Sequence, residues 1–373
     1  MRRAALVILV LIVACGGNPT ASRSPSPSPS GEQSPIASPT SGAASLVHCT
    51  ATVPAGDNLV IGTVVGDPTV VVRDIQDPAH ARNLCHFDAD AQSPSFVSGT
   101  RVAYETAGNE IVTADLAGGA TTILATYSSG FDSGQYAFSP DGKSVTYLDN
   151  NAWRLAGPSG NRVLATLPAA PGRGISPTAD DSFLAFSPDG LYIAYFQTFH
   201  VGGTGETAPD QIRRASDGKL VYSTSGMTMA VWASVPSRLF FHAETGGGGI
   251  KRWDPSSGVT SMASVLWIRP HASPDGRWIA GTVRGSTGVG SVSFYSVQGD
   301  SVTASTPAGR SNPRFLSNDL VWYSGERACT TCFGGQPTPT GVTYIYSIAG
   351  ASEVTSRLSS VSDAWPHTTA PAL

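Results

Sequence analysis

One ten-residue stretch decides the fold: Phe186-Ser-Pro-Asp-Gly190-Leu-Tyr-Ile-Ala-Tyr195. Two close copies are Phe138-Ser-Pro-Asp-Gly142-Lys-Ser-Val-Thr-Tyr147 and Ala272-Ser-Pro-Asp-Gly276-Arg-Trp-Ile-Ala-Gly281. Each copy reads as the end of one strand, a tight turn and a second strand of alternating apolar residues. Proline presets φ, the aspartate carboxylate bonds nearby backbone N–H groups, and glycine accepts a positive φ. We therefore expect structural turn residues at Asp141, Gly142, Asp189, Gly190, Asp275 and Gly276.

Less regular copies of the pattern fill the rest of the chain, at Phe96, Trp232 and Phe315. The six anchors, at positions 96, 138, 186, 232, 272 and 315, are separated by 42, 48, 46, 40 and 43 residues. Each anchor is followed by a further unit of strand, turn and strand. A four-stranded unit every 40 to 50 residues is typical of a propeller blade. The sequence therefore predicts an all-β fold, a β-propeller.

We expect seven four-stranded blades, with six as the alternative, because seven outer hairpins can be counted. Seven blades would have about 46 residues each, whereas six would need about 54. The C-terminal strand is expected to close the ring at residues 363–369, as the inner strand of a first blade that otherwise comes from residues 57–85. The basis is that Trp365-Pro-His-Thr368 matches Arg269-Pro-His-Ala272 and Asn312-Pro-Arg-Phe315. Such an overlap leaves no open edge in the ring.

The three Ser-Pro-Asp-Gly turns, with the apolar strand after each, resemble the WD40-like repeat of the TolB-type propellers. The resemblance covers roughly residues 48–370. It implies a propeller that lies outside the cytoplasm and binds other proteins or ligands. That family usually has six blades, so the seven-blade count departs from it.

The N-terminus has the features of an export signal. Two arginines precede an apolar run over residues 4–14, which is too short to span a bilayer but suits a signal peptide. The run ends in Ile12-Val-Ala-Cys15, which resembles the bacterial lipoprotein signal, in which the cysteine is lipidated. We predict a signal peptide at 1–14, a lipidated Cys15 in a disordered Ser/Pro-rich linker at 15–45, and the propeller at 46–373. An ordinary secretory signal with an incidental cysteine is the alternative.

The composition excludes two classes of protein. Only 13% of the 373 residues are charged and the net charge is −4. A helical bundle would need many more charged residues for its exposed faces. Sequence-independent binding to DNA or RNA needs a basic surface, so we expect no nucleic-acid partner.

The other four cysteines are Cys49, Cys85, Cys329 and Cys332. In an exported domain they favour two disulfides. The pairs that we favour are 49–85 and 329–332, although three connectivities are possible. A zinc site is the alternative, but the chain lacks a second Cys-x-x-Cys pair. We expect no metal and no other cofactor.

The sequence contains no recognisable catalytic motif: it has no Gly-x-Ser-x-Gly elbow and no His-x-x-x-His spacing. Two long insertions, at residues 197–210 and 325–341, connect second to third strands, and the blade linkers at 127–134 and 168–181 open on the same face. Loops longer than a turn requires are commonly functional. Phe199, His200 and Phe333 are therefore candidate binding-face residues. Tolerated insertion without function is the alternative.

These features predict a monomeric propeller, lipid-anchored on the extracytoplasmic side of the cell membrane, that binds an envelope protein or peptide. The alternative is a propeller enzyme that acts on glycans. A cluster of carboxylates, tyrosine and arginine that occurs once, on inner strands, would favour the enzyme. Arg269, Arg314 and Tyr136 are the weak indications of such a cluster.

Overall fold

The described part of the chain consists of strands and turns, with no α-helix. The computed structural model describes residues 40–41, 44–54, 58–77, 80–128, 136–149, 152–167, 182–201, 204–207, 210–224, 227–233, 237–243, 249–263, 267–286, 288–329 and 337–364. Within these ranges no helix is long and apolar enough to cross a membrane.

Seven antiparallel sheets, each with a core of four strands, form the blades. From inner to outer strand, blade 1 contains β31 (Leu358–Ala364), β3 (Leu59–Val64), β4 (Asp67–Asp74) and β5 (Arg82–Phe87). Blade 2 contains β6 (Gln92–Ser98), β7 (Arg101–Glu105), β8 (Glu110–Asp115) and β9 (Thr121–Thr126). Blade 3 contains β10 (Tyr136–Phe138), β11 (Val145–Asp149), β12 (Ala152–Gly157) and β13 (Gly160–Thr166).

The other four blades follow in the same order. Blade 4 contains β14 (Ser182–Phe186), β15 (Tyr192–Val201), β17 (Asp210–Arg214) and β18 (Leu220–Thr224). Blade 5 contains β19 (Met227–Ala233), β20 (Arg238–Ala243), β21 (Ile250–Asp254) and β22 (Gly258–Ala263). Blade 6 contains β23 (Ile268–Ala272), β24 (Trp278–Arg284), β25 (Gly290–Ser296) and β26 (Ser301–Ser305). Blade 7 contains β27 (Arg310–Phe315), β28 (Leu320–Arg327), β29 (Thr338–Ser347) and β30 (Ser352–Ser356).

The core is divided among seven apolar clusters, each built mainly from two neighbouring blades. One of them joins blade 7 to blade 1, where Trp322 and Ile345 pack with Val60 and Val361. The blades therefore form a closed ring, and the prediction of a seven-bladed β-propeller is confirmed.

Each cluster includes residues from the second strand of a blade. At the third or fourth residue of that strand, five blades carry a buried aromatic ring: Tyr104, Tyr147, Tyr195, Phe241 and Tyr323. All five lie in the cluster shared with the preceding blade. Burying a ring of this size is among the largest single apolar contributions to a core. The repeated ring thus joins each of these blades to the one before it.

The C-terminal strand closes the ring, but its predicted position was wrong by four residues. Ala364 pairs with Val60 in blade 1, as Ala272 pairs with Ile279 in blade 6. The expected match to Ala272 was Thr368, which lies outside the described residues. The prediction relies on the Pro-His pair at residues 366–367, which does not mark the inner strand of blade 1. The equivalents of Pro270 and His271 in β31 are Ser362 and Asp363, so this strand lacks the pair.

Four inner strands contain the same backbone irregularity. Ser93, Met229, Arg269 and Asn312 have φ between 48° and 57°, and the strand register shifts at each of them. Such φ values are uncommon for residues other than glycine. A bulge at the same place in four blades is therefore a regular feature of this ring.

The three Ser-Pro-Asp-Gly turns have one geometry. In each turn the serine hydroxyl donates to the aspartate carboxylate over 2.6–2.7 Å, and the backbone N–H two residues after the aspartate donates to the same carboxylate. The turn glycines have φ between 64° and 70°. These contacts make Asp141, Asp189 and Asp275 part of the scaffold.

Two short strands from the N-terminal segment extend the outer edges of blades 2 and 1. β1 (Thr40–Ser41) pairs with β9, and β2 (Val47–Cys49) pairs with β5. Thr40–Ser41 belong to the segment for which a disordered linker was predicted. Residues 1–39, including Cys15, lie outside the described residues.

Candidate binding surface

The ring has two different ends, which follow from the antiparallel order of the strands. The Ser-Pro-Asp-Gly turns join first to second strands at one end, which we call the turn end. The connections from second to third strands, and those between blades, lie at the other end, which we call the loop end. The two long insertions that the sequence singles out both belong to the loop end.

Both insertions lengthen the strands that lead into and out of them. In blade 4, β15 continues to Val201 and pairs with the extra strand β16 (Thr204–Thr207). In blade 7, Glu326 and Arg327 at the end of β28 pair with Pro339 and Thr338 of β29. The segments expected as loops are therefore partly paired β-structure. In blade 4 this agrees with the β-branched and aromatic residues Thr198, Phe199 and Val201, which suit an extended strand.

The structure describes the three candidate binding residues to different extents. Phe199 and His200 lie on β15, opposite Glu206 and Gly205 of β16. Their backbone is described but their side chains are not. Phe333 lies outside the described residues, within the connection between β28 and β29. The structure thus assigns Phe199 and His200 to the projecting hairpin of blade 4.

A group of acidic and phenolic side chains lies at the loop end of blades 2 and 3. The Tyr127 hydroxyl donates a short hydrogen bond to Glu105, which is 1% exposed. The Tyr136 hydroxyl donates to the Ser93 carbonyl over 2.9 Å. Burial raises the pKa of both tyrosines, and Glu105 raises it further. Both hydroxyls are therefore protonated at neutral pH and act as hydrogen-bond donors rather than as bases.

Blades 6 and 7 carry cationic and amide groups on their inner strands. Arg269 donates to the Asn312 side chain over 3.0 Å, and the two residues occupy the same bulge position in successive blades. Arg314 is half-buried two residues further along β27. These groups fulfil only part of the condition for an enzyme, because Glu105 lies on the second strand of blade 2 and Tyr127 follows β9, so neither is on an inner strand.

A second carboxylate at the loop end joins blade 7 to blade 6. Glu326 accepts hydrogen bonds from the backbone N–H of Gly290 and from Arg284. A Cβ at position 290 would lie 2.6 Å from Thr282 Cγ2 and 3.0 Å from Glu326 Oε1. Glycine is therefore needed for this contact, which fixes Glu326 as a structural acceptor between blades.

Cys49 and Cys85 lie on the outer edge of blade 1, whereas Cys329 and Cys332 belong to the same insertion as Phe333. A disulfide joins Cys49 to Cys85, which are opposite each other on β2 and β5. Cys329 is also disulfide-bonded, and Cys332, with which it was predicted to pair, lies outside the described residues. Across the described ranges, no group of three or more His, Cys, Asp or Glu side chains could hold a metal ion.

The two long insertions were predictable from their length, whereas the contact between Glu105 and Tyr127 was not. Both residues lie next to strand ends in one of the less regular repeats, where a single Glu or Tyr has no distinguishing neighbour. Their contact depends on the packing of the end of β7 against the chain that leaves β9. The indication in the sequence was the carboxylate of Glu105, which follows the apolar residues Val102 to Tyr104 at the end of β7.

Three solved structures are similar to this chain to different degrees. An oligogalacturonate lyase from Vibrio parahaemolyticus matches with TM-score 0.51 and 12% identity, over 82% of this chain and 86% of that one. A propeller domain of Cps50 (Swd1) from Myceliophteria thermophila has TM-score 0.47 and 15% identity, over 77% and 96%. A putative TolB from Agrobacterium tumefaciens has TM-score 0.38 and 17% identity, over 64% and 82%.

No protein-family model matches the chain, and no curated protein matches it by sequence. The chain is similar in fold to the oligogalacturonate lyase, and this similarity shows the fold alone.

Proposed function

We propose that the chain is an exported lipoprotein, anchored at Cys15, whose propeller recognises an envelope protein or peptide with its loop end. The observation that carries the recognition step is the projecting hairpin of β15 and β16. Among the described strands, β16 pairs with β15 and with no other. Its free edge is a template for an added strand, which is a common way of binding an extended peptide.

Export is supported by the cysteines. The Cys49–Cys85 bond and the oxidised state of Cys329 suit an oxidising compartment, because disulfides persist outside the cytoplasm. The bond also has a mechanical role. It holds β2 on the outer edge of blade 1, at the point where the N-terminal segment leads into the ring. A pull on a membrane anchor that detached β1 from blade 2 would next act on β2, which the disulfide cross-links to blade 1.

The anchoring step is tested by the Cys15→Ser substitution, followed by cell fractionation. The proposal expects the wild-type chain in the membrane fraction and the variant in the soluble extracytoplasmic fraction, because a sulfur-linked lipid cannot form on serine. A variant that stays with the membrane would show that lipid at Cys15 is not the anchor.

The recognition step is tested by shortening the hairpin. Replacing residues 198–207 with an Asn-Gly turn removes β16 and keeps a two-residue connection of the type that hairpins favour. We expect the melting temperature to stay close to that of the wild type and co-purification of the envelope partner to be lost. Leu191→Ser, at the exposed turn end of the same blade, is the matched control and should keep the partner. Equal retention by both variants would contradict the proposal.

A glycan-directed enzyme is the second candidate. Its support is the group formed by Glu105, Tyr127 and Tyr136, together with a fold neighbour that is an oligogalacturonate lyase. Incubation with oligogalacturonate and other acidic oligosaccharides, followed by mass spectrometry, tests it. Cleavage that disappears in Tyr136→Phe but persists in Tyr222→Phe would favour the enzyme. If the correctly folded chain leaves these substrates intact, the enzyme proposal is contradicted and the binding module remains.

A further inference from the structure

Blade 6 lacks the aromatic ring that joins five other blades to their predecessors. Where those blades have Tyr or Phe on the second strand, β24 has Gly281. Each of the five rings packs against the preceding blade. A ring at position 281 would therefore lie at the interface between blades 5 and 6.

A cavity of about 180 Å³ lies at that place. Its described lining comes from both blades and includes Ile250 of blade 5, and Trp267, Gly281, Tyr295, Asp300 and Val302 of blade 6 or the segments next to its strands. The volume is informative, because an engineered apolar cavity of about 150 Å³ in another protein stays dry and binds benzene. The space is therefore sufficient for one six-membered ring.

Blade 1 shows that a glycine at this position does not by itself create a cavity. A Cβ at Gly62 would lie 2.1 Å from the carbonyl oxygen of Ser360, so the adjacent backbone of β31 occupies that space. At Gly281 the closest atoms are those of the Trp267 side chain, 2.8 Å from Cβ to Cβ. Trp267 fills only part of the volume and forms an aromatic wall for the remainder.

The cavity has apolar walls and an acidic mouth. Ile250, Trp267 and Tyr295 are buried, whereas Asp300 is exposed, and the exposed Val302 lies beside it on β26. The Tyr295 hydroxyl donates to Asp300 Oδ1, which fixes the carboxylate at the opening. An apolar group can enter without leaving a wall group unsatisfied, and a cation attached to it would meet the charge of Asp300.

We propose that this cavity is a ligand site for a single aromatic ring that carries a cationic group. The ring would occupy the space beside Gly281, in edge or face contact with Trp267 and Tyr295, and the cation would lie at Asp300. The inference goes beyond the proposed recognition by the loop end and does not depend on it.

Titration of the full chain with benzylamine, benzoate and toluene, followed by calorimetry, tests the site. We expect saturable binding of benzylamine and at least about fivefold weaker binding of benzoate, because the carboxylate at the mouth attracts one charge and repels the other. Asp300→Asn should reduce this ratio to about one. Asparagine is suitable because Asp300 has a φ of 50°, a conformation that asparagine tolerates.

The location is tested by Val302→Trp, which places a bulky side chain at the mouth from a position that is 47% exposed. Val354→Trp, at a 56% exposed position of the outer strand of blade 7, is the matched control. We expect Val302→Trp to weaken benzylamine binding at least tenfold and Val354→Trp to leave it unchanged. The proposal is overturned by absence of saturable binding, by equal affinity for benzoate, or by equal effects of the two tryptophans in variants that melt like the wild type.

Discussion

Asp363 Oδ2 accepts a hydrogen bond of 2.6 Å from the backbone N–H of Phe96, although the two residues are 267 positions apart in the sequence. The bond joins β31, the inner strand of blade 1, to β6, the inner strand of blade 2. The same relationship recurs between blades 6 and 7, where His271 Nδ1 accepts from the N–H of Phe315 over 3.1 Å. Asp363 and His271 occupy equivalent positions, and so do Phe96 and Phe315.

The first prediction is that Asp363→Ala lowers the free energy of unfolding by about 2 kcal/mol, since it leaves a buried N–H without its acceptor. Asp363→Asn keeps an acceptor oxygen and should lower it by less. Urea unfolding of both variants checks this. Equal losses would mean that the contact with Phe96 is not what Asp363 contributes.

Removal of the whole closing strand should have a much larger effect. A chain that ends at Arg357 lacks β31 and exposes the edge of β3 and the apolar side chains that β31 covers in blades 7 and 1. We expect no cooperative unfolding transition in this chain by circular dichroism. A transition at the wild-type temperature would contradict the closure of the ring by β31.

The three sharp turns allow a matched comparison of two glycines. Gly142 and Gly190 have nearly the same φ, 65° and 70°. A Cβ at Gly190 would meet nothing closer than 3.5 Å, whereas at Gly142 it would lie 2.7 Å from Val97 Cγ1. Gly190→Ala should therefore cost only the strain of the left-handed conformation, about 1 kcal/mol, and Gly142→Ala distinctly more. Thermal unfolding measures the difference, and a larger loss in Gly190→Ala would contradict the turn geometry.

Glu353 gives a prediction about pH. Arg310 donates to its carboxylate from Nη2 and Nε, over 2.7 and 2.9 Å, and these bonds, with that from Tyr323, hold the pKa of Glu353 below its usual value of 4.5. A folded pKa below the unfolded one stabilises the protein above the unfolded pKa, and this stabilisation is lost as the pH falls through the folded value.

Glu353→Gln should therefore lower the melting temperature at pH 7, and this deficit should shrink as the pH falls from about 4.5 through the lower pKa of the folded protein. The measurement is the melting temperature of wild type and variant across that range. Ser359→Ala, at an exposed position of β31, serves as a control whose effect should not vary with pH. A deficit in Glu353→Gln that does not shrink at any pH below about 4.5 at which the protein stays folded would show that the ionised carboxylate does not stabilise blade 7.

The disulfide gives a prediction about stability. Cys49 and Cys85 are 36 positions apart, and closing a loop of that length stabilises a protein by about 2–4 kcal/mol through the unfolded state. We expect the Cys49→Ala, Cys85→Ala double variant to unfold at a lower urea concentration, with its free energy of unfolding reduced by about 2–4 kcal/mol. An unchanged midpoint would show that β2 is held by its strand pairing alone.

The sequence was sufficient for features that depend on local chemistry. The turn at Asp189 and Gly190 and the seven-blade count were predictable, because turn residues and strand periodicity are properties of short segments. The position of β31 was predicted four residues too late, because Ser362 replaces the proline found at Pro270. Glu105, Asp363 and the cavity at Gly281 could not be predicted, since each depends on which neighbouring blade a side chain meets.

The most direct test of the account is photo-crosslinking in the living cell from position 333, in the connection between β28 and β29 at the loop end. A crosslinker at Leu191, which is 58% exposed at the turn end, is the control. The account predicts one dominant envelope-protein adduct from position 333 that is absent from position 191 and is lost when residues 198–207 are shortened. No adduct from position 333, or the same adducts from both positions, would contradict recognition by the loop end.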